Sequence, residues 1–343
     1  MSDQPTSDAT STRGPNHALS VQRCPHALED VDLFAEGAQE HWYEAYPILH
    51  AECPVMRIPG EGPAEGFDGF VLTKYEDVAR VVKDPERFPP RVHEAILQIK
   101  AAEASGREVP HVNAMLRSMM TLRPDHALYR SHRQELTDPW VGPGASRHTE
   151  MIKACAHRLI DGFGDASEID FIQAFARPLP QMVMANVLGF PESDIPQLAE
   201  WGNAQVAAFV YGKGHRNILS KEEMDAQFDK LEAFKAYVHT QVQAKKVDPK
   251  DDMISWLTQV EYEALGRKLT DLEVNGVVYA MIIGGLETTQ YALEEQAQLI
   301  CDHPGLWQTL DQDRSKIRAF IEEAMRLRSP TQGLSTQIGR AHV

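Results

Sequence analysis

Beyond residue 88, apolar positions recur mostly three and four residues apart, the spacing of a single buried helical face. The pattern predicts helices over residues 92–105, 127–137, 150–162 and 174–188. It continues over 193–210, 221–245, 251–265, 270–301 and 315–328, with short Pro- or Gly-bearing connections between. Before residue 88 the pattern is mixed. A helix over 40–52 leads into Pro54-Val55-Met56-Arg57-Ile58, and a Gly/Pro/Glu turn separates that run from Phe70-Val71-Leu72-Thr73. Two apolar runs around a turn predict a β-hairpin. A short helix over 75–82 follows and stops ahead of Asp84-Pro85. The expected fold class is mainly α with a small β-sheet element near the N-terminus. Residues 1–25 begin with a Ser-, Thr-, Asp- and Pro-rich run and read as a disordered tail, and residues 26–337 as a single helical domain without internal repeats.

One helix departs from its own pattern. Thr270-Asp271-Leu272-Glu273 has the spacing of a capping box, in which the Thr side chain and the Glu three residues on satisfy free N–H groups. Val274, Val277, Val278, Met281, Ile282 and Gly285 then follow one buried face, and Thr288 and Thr289 come up on that face three and four residues later. Each mid-helix glycine, Gly284 and Gly285, costs about 1 kcal/mol relative to Ala, and a threonine on an apolar stripe needs a hydrogen-bond partner. Two explanations stand side by side. Either the glycines mark a tight helix crossing with threonines bonded back to their own turn, or something flat packs on the glycines while a distorted turn presents Glu287 and Thr288 to it.

Composition narrows the function classes. With 34 Lys+Arg against 50 Asp+Glu, the 343 residues carry a formal net charge of −16, which argues against an extended phosphate-binding surface. No nucleic-acid partner is expected. Four scattered cysteines, Cys24, Cys53, Cys155 and Cys301, form no CxxC pair and suit a reducing compartment. The N-terminus lacks the basic-then-apolar pattern of a signal peptide, and the longest apolar run falls far short of the ~20 residues that span a bilayer. A cytoplasmic protein without a membrane anchor is expected, working as a monomer.

Gly284-Gly285-Leu286-Glu287-Thr288-Thr289 resembles the oxygen-activation motif of the central helix in cytochrome P-450 monooxygenases, small-Gly-x-acid-Thr-Thr. Glu323-Ala324-Met325-Arg326, followed by Ser329-Pro330, resembles that family's Glu-x-x-Arg helix. His126-Ala127-Leu128-Tyr129-Arg130 resembles the His-x-x-x-Arg of the helix that contacts haem propionates. The stretch from Thr73 to Phe88 resembles the early sheet-to-helix segment of soluble bacterial members. Taken singly, Glu323 and Arg326 are a surface ion pair of roughly 0.2–0.5 kcal/mol. The specificity comes from four pieces in order over residues 28–337.

The resemblance implies a haem b cofactor, a ferredoxin-like electron donor with its NAD(P)H reductase, and insertion of one oxygen atom into a small to medium lipophilic substrate. It assigns Gly284 and Gly285 to the haem face, and Glu287 and Thr288 to proton delivery. His126 and Arg130 go to the propionates, where charge-assisted bonds suit Arg, and Glu323 with Arg326 has a structural role. Substrate contacts are expected from the loop before the His126 helix, with Met119 and Met120, and from Phe209 and Val210. A Met-rich apolar stretch fits an adaptable pocket, although ordinary core packing explains any one of these side chains as well.

The family's thiolate ligand sits in a Phe-Gly-x-Gly-x-His-x-Cys loop, and none of the four cysteines has that context. Residues 338–343, Ile-Gly-Arg-Ala-His-Val, resemble one frame of a sequencing adapter and read as foreign. The expectation is a fragment ending before the ligand loop, which binds haem weakly and shows no turnover. Two other functions fit parts of the sequence. Asp251-Asp252-Met253-Ile254-Ser255 starts like the Asp-Asp-x-x-Asp motif of a magnesium-dependent isoprenoid synthase, with Ser255 in the wrong place. A non-catalytic helical binding protein is the other.

Overall fold

Val55–Ile58 (β1) and Gly69–Leu72 (β2) are joined by a turn whose closing groups are all local. Arg57 Nε lies 2.5 Å from Asp68 Oδ2, and Asp68 Oδ1 accepts from Gly60 N at 2.8 Å. The strands pair antiparallel with Val55 opposite Leu72 and Ile58 opposite Gly69, as the two apolar runs predict. Trp42–Glu52 (α1) precedes the hairpin and Tyr75–Val82 (α2) follows it. These elements belong to one of two compact units. The computed structural model describes residues 24–62, 67–89, 99–106, 114–123, 125–207 and 219–333, and the first unit takes those up to Phe88.

The second unit is helical. After a helical stretch at 99–104 come Ala114–Leu122 (α3), His126–His132 (α4), Thr149–Asp161 (α5), Pro178–Leu188 (α6) and Ile195–Ala207 (α7). Lys221–Val247 (α8) and the short Met253–Leu257 (α9) follow. Asp271–Gly285 (α10), Glu287–Asp302 (α11), Leu306–Gln312 (α12) and Ile317–Leu327 (α13) complete it. Caps set these boundaries. Asp125 Oδ1 accepts from Leu128 N at 2.9 Å to start α4, and Ser220 with Glu223 forms a capping box for α8. Gly189, at φ +79°, ends α6 in the left-handed conformation that glycine adopts without strain.

Three expectations need correction. Residues 251–265 are not one helix, because α9 stops at Leu257 and Glu261–Tyr262 (β3) pairs antiparallel with Arg267–Lys268 (β4). The segment holding Met119 and Met120 is not a loop but α3. A helix at Leu306–Gln312 had no prediction at all.

The core of this unit runs through α6 to α10, with Leu188, Phe234, Val238, Met253, Val274 and Ile282 at or near zero exposure. A second packing layer places α3 against α10. Tyr262, fully buried on β3, shares its hydroxyl proton between Leu122 O at 3.0 Å and Leu128 O at 3.2 Å. That bond ties the hairpin to the α3–α4 junction. Among the described residues no helix is long and apolar enough to cross a membrane.

Candidate active site

The α10 helix is anchored at its start and broken at its end. Thr270 and Glu273 form the expected capping box, and Arg267 from β4 grips the Glu273 carboxylate with both guanidinium nitrogens at 2.8 Å. Glu273 is 3% exposed. Burial pushes its pKa up, but the Arg267 and Thr270 bonds outweigh that and hold it below the ordinary value. At the other end the expected continuous helix over 270–301 is interrupted. Leu286, at φ −91° and ψ −75°, stands between α10 and α11.

The two glycines ahead of this break have different surroundings. A Cβ on Gly285 would lie 2.6 Å from Met184 Sδ and 3.0 Å from its Cγ, so this glycine makes the α6–α10 crossing. A Cβ on Gly284 would meet nothing within 4 Å. Thr288 Oγ1 donates to Gly284 O at 2.8 Å. Tight crossing and back-bonded threonine are thus both present, and an open face remains beside Gly284. Glu287 is half-buried. Burial raises its pKa, and this is opposed by a hydrogen bond from the Tyr291 hydroxyl and by the Arg177 charge.

His126 is the first residue of α4 and its side chain lies outside the described part; Arg130 is exposed in the last turn of that helix. Met119 and Met120 are half-buried on α3, the helix that packs on α10. Phe209 and Val210 lie outside the described residues. Glu323 and Arg326 on α13 pair at 2.6 and 2.7 Å, both exposed.

Asp252 does not belong to a magnesium cluster. Its Oδ1 caps α9 by accepting from Ser255 N at 2.8 Å, and its Oδ2 meets the buried Lys245 Nζ at 2.5 Å. No group of three or more metal-ligating side chains occurs among the described residues, and the isoprenoid synthase motif is overturned on these bonds.

Sequence reasoning missed Arg177, Glu200 and Tyr291, which join Glu287 around one recess. Tyr291, one turn beyond Glu287, was within reach of a helical-spacing argument. Arg177 and Glu200 come from other helices, and only the fold brings them in.

The open Gly284 face and the Thr288 hydroxyl suit the distal side of a flat macrocycle. Cys155 lies against Met151 with its pKa raised by burial, the wrong direction for a thiolate, while Cys24 and Cys301 are exposed and Cys53 donates to Val55 O at 3.6 Å.

A kinked central helix carrying an acid and a threonine, set in a mainly helical fold, defines a class, and known proteins agree with it. No family model matches the chain. The polyketide biosynthesis cytochrome P450 PksS of Bacillus subtilis is 26% identical over 303 residues, covering 87% of this chain and 70% of that protein. The biotin biosynthesis cytochrome P450 of the same organism is 26% identical over 291 residues, covering 84% and 68%. Among solved structures, P450BioI in complex with a hexadecenoyl-ligated acyl carrier protein aligns with TM-score 0.67 at 24% identity, covering 85% of this chain and 70% of that one. These relatives are cytochrome P450s, haem-dependent oxidoreductases whose cofactor is haem b, and the chain is similar to that superfamily in sequence and in fold.

Proposed function

We propose that the protein serves a monooxygenase reaction on a small to medium lipophilic substrate, with electrons from a ferredoxin-type donor and its NAD(P)H reductase. The observation that carries this reading is the broken turn at Leu286, which leaves Gly284 open and sets the Thr288 hydroxyl beside it. Haem, when bound, supplies the iron at which dioxygen is cleaved. The chain's own residues bind, orient and deliver protons.

Gly284 leaves room for the ring, and Gly285 fixes the depth at which α10 crosses α6. Thr288 holds a water by its hydroxyl oxygen, which is free to accept while its proton goes to Gly284 O. Glu287 moves protons toward that water, its raised pKa bringing it nearer the working pH. His126 and Arg130 neutralise the propionates. Glu323 and Arg326 brace α13. Met119 and Met120 face substrate, with Phe209 and Val210 from the segment after α7. A lipophilic substrate agrees with relatives named for polyketide biosynthesis and for steroid C26-monooxygenation. A cytoplasmic monomer fits four cysteines that are all free.

Haem titration of the protein, followed by quenching of tryptophan fluorescence, tests the reading. Weak but saturable haem binding is expected, in keeping with a chain whose cysteines lack the context of the thiolate ligand. Quenching that rises linearly with added haem, without saturation, contradicts it.

A further inference from the structure

Beside α10 the core holds a run of aromatic rings at contact distance, and its two ends differ chemically. The ring of Tyr279 on α10 is centred 4.9 Å from that of Phe234 on α8, which is 5.4 Å from Trp201 on α7. Trp201 in turn lies 5.0 Å from Tyr237, one turn beyond Phe234. Tyr279, Phe234 and Trp201 are buried, and Tyr237 is partly buried at the edge of the core. The inner phenol, Tyr279, donates to Leu231 O at 3.1 Å. The outer one, Tyr237, donates to Asp194 Oδ2 at 2.7 Å, just ahead of α7. A phenol that loses an electron becomes a strong acid and persists only by shedding its proton. A peptide carbonyl is too weak a base to take that proton, whereas a carboxylate takes it readily. Burial, with the bond and charge of Asp194, raises the Tyr237 pKa, so at rest the proton is on the phenol. Phe234 is hard to oxidise and acts as a spacer. An oxidising equivalent in this run therefore settles on Tyr237, with the readily oxidised Trp201 ring on its inner side.

We propose that Trp201 and Tyr237 form a redox-active pair that draws a one-electron oxidising equivalent out of the core and lodges it on the Tyr237 ring, with Asp194 as proton acceptor. The oxidant is of the peroxide-derived radical class. It takes one electron from Trp201 and is itself reduced. Tyr237 then gives one electron to the Trp201 radical cation and its O–H proton to Asp194 Oδ2. Trp201 is restored, Tyr237 becomes a neutral phenoxyl radical, and Asp194 is protonated. A surface reductant of the ascorbate class returns one electron to Tyr237, and the proton passes back from Asp194 to the phenol oxygen. The step needs no haem, so it stands or falls apart from the function proposed above.

Pulse radiolysis of the full chain in azide solution tests the pair. Azidyl radicals oxidise tryptophan and become azide, and the indolyl and phenoxyl absorptions are followed in time. Trp307→Phe serves as the background, because that exposed indole competes for the radical. The expected result is phenoxyl growth as indolyl decays, at a rate independent of protein concentration. Tyr237→Phe removes this phase, and so does Trp201→Phe. Asp194→Asn keeps an acceptor but no base, and slows the phase at least about tenfold. Tyr237→Phe and Asp194→Asn carry the test if Trp201→Phe does not fold. Absence of concentration-independent growth in the background protein, or the same growth in Tyr237→Phe, overturns the pair. An unchanged rate in Asp194→Asn removes Asp194 as the proton acceptor and with it the trap at Tyr237. A protein that fails to bind haem while showing these phases contradicts the proposed function and leaves the pair standing.

Discussion

Gly284 and Gly285 are neighbours with opposite demands. Beside Gly284 there is empty space, so Gly284→Ala adds a methyl without a clash and removes a mid-helix glycine, a gain of about 0.4–1 kcal/mol. Gly285→Ala drives a methyl into Met184, and overpacking costs about 1–3 kcal/mol. Urea midpoints of the two variants should move in opposite directions; if Gly285→Ala is as stable as Gly284→Ala, the crossing is not tight. The helical spacing put Gly285 and not Gly284 on the buried face, but that Met184 is what a Cβ there would meet depends on another helix and was not legible. Thr288 was legible as a strained placement, and its bond to Gly284 O resolves the strain within its own turn.

At the scale of elements, amphipathic spacing and caps were legible, and pairings across long sequence separations were not. The capping box at Thr270 and the N-terminal hairpin follow from local residues. The β3–β4 hairpin is only two residues per strand, too short to show an alternation, and was read as helix. Its worth is tertiary. Arg267 holds Glu273 at the start of α10, while Tyr262 holds the α3–α4 junction. Tyr262→Phe leaves two carbonyl oxygens short of a donor in a buried place, a loss of about 1–3 kcal/mol read from urea unfolding. An unchanged midpoint would mean that other groups hold the junction.

At the scale of the whole molecule, one buried side chain sets an acid limit on stability. His132 is 4% exposed, its Nδ1 has no hydrogen-bond partner, and burial, with Arg123 and Arg133 adding like charge, pulls its pKa down to about 3. The folded form therefore holds this imidazole neutral while the unfolded chain binds a proton below about 6.5. Its contribution is complete above that pH and falls away as the pH drops toward 3. His132→Phe should flatten the decline in urea midpoint between pH 6.5 and 4; an equally steep decline would assign the acid limit to carboxylates such as Glu273. The fold class was legible from spacing alone, since helical periodicity dominates the chain. The division into two compact units was not, because no linker-like composition marks it.

The claim on which the account turns is that a haem lies against the open face of Gly284. The direct measurement is a haem titration of the wild-type protein beside Gly284→Phe, with far-UV circular dichroism to confirm that both are folded. The account predicts saturable quenching in the wild type and at least a tenfold loss of affinity in the variant, about 1.4 kcal/mol or more. Equal affinity in the two folded proteins would contradict it.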